Sequence, residues 1–375
     1  VDERERDTAV LLALSEVRRS GAARDYAGAV LGGSTAARRL GAWRAARSPE
    51  PGAWDGLLGD AARADLARRH PFAGEMHPTR LERYIGCPFA FLLRDVYGLD
   101  APDEPGDSLE MDAREFGTLA HAILQGTYER VMAEGLDLDG AGRALDEAWA
   151  ADCAEAERRG VTGAALSWEV RREVLREDLH ESLRRDRALS EPGRQPVGVE
   201  WRFGAAAGRP VAAELPGGRV VHFAGRLDRI DEVPGGAVVI DYKTGAGHTE
   251  RGRIKERLSV QLPVYTLALR QTGGAAYGAI TSVYRLVTRR GDFEDLALPQ
   301  TEAQSTRRLR ELVAEAVALV DAGMFPRTTR QRCTYCDVRY ACGASAWARA
   351  RKREHAALAP VVHLQSPAPE DTDDC

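Results

Sequence analysis

The spacing of apolar residues changes near Pro192. Before it, hydrophobic positions recur at helical intervals; after it, β-branched and aromatic residues come in short blocks bounded by Gly or Pro. Residues 8–70 are rich in Ala, Leu and Arg, with Val10, Leu11, Leu14 and Val17 at helical spacing, glycines near 32 and prolines at 49 and 51. This predicts several short helices that need a neighbour to pack against. Thr79 to Glu82 has capping-box spacing and opens an apolar segment, from Leu81 and Tyr84 to Phe91 and Leu93, predicted as one buried helix that carries Cys87 despite Pro88. Helices are predicted over about 112–134, 141–159 and 167–189, after a Pro, Gly and Asp-rich loop at 101–108. The third is charged strongly enough to be expected at the solvent.

Strands are predicted at 197–203 (VGVEWRF), 219–233 (RVVHFAGRLDRIDEV), 237–245 (AVVIDYKTG) and 276–287 (AYGAITSVYRLV). Pro234-Gly235-Gly236 makes a tight connection between the second and third, and an amphipathic helix at about 255–272 links the third to the fourth. A helix at about 302–322 leads into a cysteine cluster. The tail from His355 is Pro and Asp-rich and is expected to be disordered.

Composition narrows the classes. With 375 residues, 44% of them hydrophobic, the chain can bury a sizeable core. A formal net charge of −5 excludes a protein that coats nucleic acid by bulk charge, so any nucleic-acid site must be a local groove. There is no apolar run of about 18 residues and no signal-like segment, which predicts a cytosolic protein without a membrane span. The chain begins with Val1, which suggests part of something longer. Lys243, Lys255 and Lys352 are the only lysines, and none follows a glycine, so no phosphate-binding G-x-x-x-x-G-K loop is present.

The candidate chemistry starts with Asp228, in the strand GRLDRID, and with Asp241-Tyr242-Lys243, at the end of the next strand. Strand alternation puts Asp241 and Lys243 on one face and Tyr242 on the other, so two carboxylates and an ammonium can converge. Such carboxylates hold a hard ion such as Mg²⁺, and the lysine can orient an attacking water. GRLDRID, VVIDYKTG and Gln261-Leu-Pro-Val-Tyr265, with Phe116-Gly-Thr-Leu-Ala-His121 upstream, resemble the PD-(D/E)XK nuclease superfamily, in its RecB-like, AddB-type exonuclease branch. The resemblance implies an α/β restriction-endonuclease-like core over 78–345, a central mixed sheet flanked by helices. It also implies Mg²⁺ or Mn²⁺ on His121, Asp228, Asp241 and the Tyr242 carbonyl, catalysis by Lys243, and positioning by Gln261 and Tyr265. Gly117 is expected to allow the close helix approach that His121 needs. Glu200, in VEWRF, resembles a strand Glu found before the metal Asp in some relatives.

Cys333, Cys336 and Cys342 form C-x2-C-x5-C, one ligand short of a four-thiolate site that Cys87 could complete. Spacing allows zinc or an iron-sulfur cluster. The resemblance implies a [4Fe-4S] cluster, a structural staple between the chain before the core and the chain after it. Cys153 and Cys375 have no partner by spacing. Arg327, Arg330, Arg332 and Arg339, interleaved with Tyr335 and Tyr340, suit a single strand of nucleic acid. The expected function is a metal-dependent DNA exonuclease on single strands or duplex ends, within a helicase-nuclease whose unwinding comes from a partner subunit or a missing part. Residues 1–77 are then a remnant of a helicase-like part, and 346–375 a helix end and tail. The alternatives are a non-catalytic, cluster-stabilised DNA-binding module of a repair complex, a stand-alone CRISPR-associated RecB-like exonuclease, and an unrelated zinc-stabilised protein.

Overall fold

The computed structural model describes residues 48–99, 110–273, 276–328, 333, 336–338, 342 and 352–366. The helices expected before residue 48, Cys375, Arg330, Arg332, Arg339, Tyr335 and Tyr340 lie outside the described residues. The helices are α1 (Asp60–Arg68), α2 (Pro78–Gly86), α3 (Pro88–Phe91), α4 (Ala113–Glu134), α5 (Leu138–Arg158), α6 (Ala165–Arg184), α7 (His248–Lys255), α8 (Gln261–Thr272), α9 (Glu302–Asp321) and α10 (Ala359–Leu364). The strands are β1 (Gln195–Phe203), β2 (Val211–Glu214), β3 (Val220–Phe223), β4 (Gly225–Val233), β5 (Gly236–Lys243), β6 (Ala279–Leu286) and β7 (Asp295–Ala297).

Two compact units divide the chain. Of the described residues, a sheet unit comprises 70–85, 110–273, 276–317 and 364–366, and a cysteine unit comprises 48–69, 86–99, 318–328, 333, 336–338, 342 and 352–363. In the sheet unit a five-stranded sheet has the order β1-β4-β5-β6-β7. β1 pairs with β4, β4 with β5 and β6 with β7 antiparallel, whereas β5 and β6 are parallel. The sheet is therefore mixed, as expected of the core. α7 and α8 make the crossover that parallel neighbours require. The β4–β5 turn has Pro234 followed by Gly235 at φ +76°, the left-handed position of a turn that only glycine takes freely.

One face of β5 and β6, through Val238, Ile240, Tyr242, Val283 and Val287, joins a core with α4, α5 and α6. α6 does not face solvent as its charge suggested. Trp168, Leu175, Leu179 and Leu183 form a buried stripe at helical spacing beneath the charged residues. α8 is buried from Gln261 to Leu269, all round its axis.

Three predicted elements are broken, each for a tertiary or a proline reason. The run 219–233 splits into β3 and β4, because Met76 pairs with Phe223 and takes the N–H of Ala224, and because the Phe203 ring lies where a side chain at Gly225 would project. The helix predicted at 255–272 is interrupted after Lys255, the last residue of α7, and resumes only at Gln261 as α8, since Pro263 cannot sit in a helix interior but is tolerated in a first turn. The buried helix at 79–93 splits at Cys87, which is extended at φ −158° ahead of Pro88. The chain from His355 to Ser366, a tail by composition, forms a 3₁₀ turn and α10, with Leu358, Val361 and Leu364 buried. Two short strands, β2 and β7, carry too little period-two signal to be predicted.

Candidate active site

The sheet brings the acidic residues into one row. Val199 lies opposite Arg229 and Trp201 opposite Leu227, so Glu200 falls beside Asp228. The β4–β5 ladder ends where Arg229 meets Ile240. Past that point Asp228 Oδ2 accepts the Tyr242 N–H at 2.8 Å, a side chain standing in for a ladder carbonyl. α4 approaches from the side of Tyr242. The His121 ring lies with Nε2 3.0 Å from the Tyr242 carbonyl oxygen and Nδ1 3.4 Å from Asp228 Oδ2. His121, Glu200 and Asp228 each offer a ligand atom, and all three atoms lie within 4.8 Å of one another. Glu200 reaches this position with a left-handed backbone, φ +50°, which a non-glycine residue adopts at some cost.

Asp241 and Lys243 share the other flank. The Lys243 ammonium is ion-paired with Asp241 Oδ2 and sits 5.1 Å over the Tyr284 ring. Gln261 lies between them, its Nε2 3.5 Å from Asp241 Oδ1 and its Oε1 3.5 Å from Lys243 Nζ, and the same Nε2 donates to the Tyr265 hydroxyl at 3.1 Å. Asp241 is thus held with Lys243 and Gln261, outside the tight group that Glu200 forms with His121 and Asp228. Gly117 does not enforce the approach of α4, because a methyl group there would meet Thr244 Oγ1 at an ordinary 3.7 Å.

Burial and charge set the protonation of the site. Burial pushes Asp241 up to about 6, against the pull of Lys243. Burial alone would raise Asp228, but the His121 hydrogen bond and charge hold it below the usual carboxylate range. Burial would lower His121, and the Asp228 hydrogen bond and charge outweigh it and raise the imidazole. Burial likewise opposes the Lys243 charge, yet Asp241 lifts the ammonium above its ordinary value. Glu200 is raised by burial.

The donors fit a hard divalent cation. One imidazole nitrogen, two carboxylates and a peptide carbonyl form an N/O set of the kind that suits Mg²⁺ or Mn²⁺. His121 Nε2 lies 3.0 Å from the Tyr242 carbonyl oxygen, at hydrogen-bond distance, so the imidazole and the carbonyl face the same space. Asp241 Oδ2 is buried and has no hydrogen bond of regular geometry among the described residues, which leaves its charge facing Lys243 and the cluster.

Sequence reasoning missed Glu82. Its spacing from Thr79 marks a local capping box, but α2 already begins at Pro78, and the buried Glu82 carboxylate instead accepts the N–H groups of Val260 and Gln261 at 3.1 and 3.2 Å. It caps α8 from another helix and fixes where Gln261 enters the site. An ion pair with Arg253 holds it there. No local signal could have found this, because the partners lie 178 and 179 residues apart.

In the cysteine unit, Cys87, Cys333, Cys336 and Cys342 are half-buried. Burial raises the Cys336 thiol, and Cys87, Cys342 and Cys333 all push it the same way, which places the four sulfurs in one electrostatic neighbourhood. The Thr328 hydroxyl donates to the Gly86 carbonyl at 2.8 Å, tying the chain before Cys333 to the residue before Cys87. A set of four thiols suits a soft site, zinc or iron-sulfur. Cys153 is buried elsewhere, its thiol pushed up to about 12, as befits an inert core residue. Arg327 already has neighbours among the described residues. Its guanidinium donates to the Trp54 carbonyl and stacks 4.2 Å from the Phe89 ring centre.

No helix among the described residues is long and apolar enough to cross a membrane. Residues 75–343 match the family model of the PD-(D/E)XK nuclease superfamily. Among curated proteins, the chain is similar to a subunit of the ATP-dependent helicase/deoxyribonuclease of Clostridium tetani, 26% identical over 206 residues, and to that of Acetivibrio thermocellus, 29% over 214 residues. The counterpart of Desulforudis audaxviator is 32% identical over 216 residues. These matches cover 52–53% of this chain and 18% of each relative, so the chain spans under a fifth of their length. With more than half of its residues within the family model, and with a mixed sheet that gathers His121, Glu200, Asp228, Asp241 and Lys243, this chain belongs to the PD-(D/E)XK nuclease superfamily.

Proposed function

We propose that the chain is a Mg²⁺-dependent deoxyribonuclease that acts exonucleolytically on single strands or duplex ends, in DNA end processing and recombinational repair. The observation that carries this reading is the convergence of His121, Glu200 and Asp228 within 4.8 Å beside the Asp241–Lys243 ion pair. His121, Glu200, Asp228 and the Tyr242 carbonyl are the residues that would hold the metal, with Asp241 closing the site from the Lys243 side. A divalent ion bound there supplies Lewis-acid polarisation of the scissile phosphodiester.

The chain's own residues do the remaining work. The Lys243 ammonium, kept cationic by Asp241, is placed to orient the attacking water and to balance charge that develops on the phosphate. Gln261 keeps Lys243 and Asp241 in register, and Tyr265 fixes the Gln261 amide. Because the curated relatives are subunits of an ATP-dependent helicase/deoxyribonuclease, a helicase subunit is the partner we assign.

The test is digestion of end-labelled single-stranded DNA by anaerobically purified protein, with and without Mg²⁺, alongside Lys243→Ala. Cutting should require the metal and fall by about 10²–10⁴-fold in the variant. Binding without cutting, under any divalent metal, by both proteins would replace this reading with the non-catalytic DNA-binding module.

For the cysteines we propose a [4Fe-4S] cluster on Cys87, Cys333, Cys336 and Cys342, supported by their shared electrostatic neighbourhood and the Thr328–Gly86 tie. Its role is structural. Wild-type protein should be brown and contain iron, and Cys87→Ser should lose both colour and iron. A colourless wild-type protein that contains zinc would sink the cluster assignment.

A further inference from the structure

Two arginines beside the acidic row have no part in the chemistry above. Arg202 on β1 and Arg226 on β4 are directly opposed partners in the antiparallel ladder, two residues beyond Glu200 and Asp228 in chain terms. Like charges placed opposite each other weaken a strand pair, so this pair calls for a counter-charge. Arg226 has part of one: its guanidinium is ion-paired with Glu200, with 48% of its side chain still exposed. Arg202 is exposed, and among the described residues its guanidinium has no ion-pair or hydrogen-bond partner, although its charge is felt at Glu200. The Arg202 carbonyl accepts a hydrogen bond from Arg209 Nη1 at 3.1 Å, and the Arg209 guanidinium lies over the Trp201 ring, 4.7 Å from its centre. The Arg202 and Arg226 guanidinium groups therefore belong to one end of the β1–β4 pair beside Glu200, on a chain whose net charge is −5.

Glu200 links the two groups. Its carboxylate lies within the His121 and Asp228 cluster and is also the one ion-pair partner of Arg226 among the described residues. A cation held at the cluster draws on the same carboxylate, which leaves Arg226 as well as Arg202 short of negative charge. An incoming anion is then the natural counter-charge. Planar guanidinium forks match the oxygens of a phosphate, and two of them on paired strands suit a polymer that runs past the site.

We propose that Arg202 and Arg226 form a phosphate subsite that grips the backbone of a nucleic-acid strand beside the scissile linkage. The inference rests on the nuclease reading only for which linkage is cut. The grip itself is a binding property and is tested separately.

The experiment measures anisotropy of a fluorescein-labelled single-stranded oligonucleotide with the full chain in Ca²⁺, over a series of salt concentrations. Arg202→Gln should weaken binding about tenfold at low salt and reduce the slope of log K against log salt by about 0.7, the share of one phosphate contact on a single strand. Arg202→Lys should restore the slope and only part of the affinity, since it keeps the charge and loses the fork. Arg143→Gln, an exposed change on α5, should alter neither quantity. A neutral methylphosphonate scanned along the strand should weaken wild-type binding at one linkage near the cut, and Arg202→Gln should be insensitive there. Wild-type affinity and slope in Arg202→Gln, or a wild-type chain that binds no DNA, would overturn the subsite. Wild-type protein that binds with the predicted slope and never cuts in Mg²⁺ would overturn the nuclease reading and leave the subsite standing.

Discussion

Asp228→Asn is expected to lower Mg²⁺-dependent cleavage by about three orders of magnitude while the protein stays folded. The substitution keeps the shape of the side chain, and its amide oxygen can still accept the Tyr242 N–H that Asp228 takes at 2.8 Å. The end of the β4–β5 hairpin should therefore hold. What is lost is the charge, and this carboxylate is the common partner of His121 and of the proposed metal. Metal polarisation of a phosphoryl group contributes several kcal/mol, and about 4 kcal/mol corresponds to a factor of about 10³ in rate. Initial rates on end-labelled DNA, read beside a thermal melt, check it. A rate within tenfold of wild type, with the melt unchanged, would show that the chemistry lies elsewhere.

Much of this site was legible from short-range rules. Alternation alone places Asp241 and Lys243 together and turns Tyr242 away, and the structure has Lys243 paired with Asp241 while the Tyr242 hydroxyl points into the opposite core, toward Arg229. The Pro234–Gly235 turn sets Asp228 against that strand. What alternation could not supply was the extent to which Glu200 enters the cluster, because its left-handed backbone is a local departure from the strand pattern.

The other departures have one physical source, competition between local signals and distant partners. Thr79 and Glu82 satisfy a capping-box spacing, yet the Glu82 carboxylate gains more from two backbone donors on α8. Residues 219–233 read as one strand, but Met76 and Phe203, brought in by the fold, divide it. In α6 the charged residues mask a stripe of four large apolar side chains. Pro88 and Pro263 were readable in principle. Each marks a helix start, and the first leaves Cys87 extended ahead of α3.

Arg229 is a fully buried charge in the sheet unit's core. Its guanidinium donates to Asp186 at 2.5 and 3.0 Å, to Asp231 at 2.7 Å twice and to the Tyr242 hydroxyl at 3.1 Å, and lies 4.0 Å from the Tyr128 ring centre. Asp186 also accepts the Tyr128 hydroxyl and faces Arg285, and Arg194 donates to Asp231 at 3.0 Å. Tyr242 consequently joins two networks: its hydroxyl to Arg229, its N–H to Asp228 and its carbonyl to His121. Arg229→Met fills similar volume but strands buried carboxylate charge, which costs about 3–5 kcal/mol when one partner of a buried pair is removed. For a unit of this size that should lower the melting temperature by roughly 10 °C. The sign of the pH dependence follows from Asp186. Burial alone would raise its carboxyl, but Arg229 and Arg285 hold it far below the usual range, so the stability it confers is present above about pH 4, the unfolded carboxylate value, and is lost as the pH falls further. The deficit of Arg229→Met should be largest near neutrality and should narrow below about pH 4, as the wild-type protein loses the same contribution. Denaturant melts of both proteins from pH 7 to pH 3 measure it, and a deficit that stays constant across that range would mean that Asp186 does not carry the network's stability.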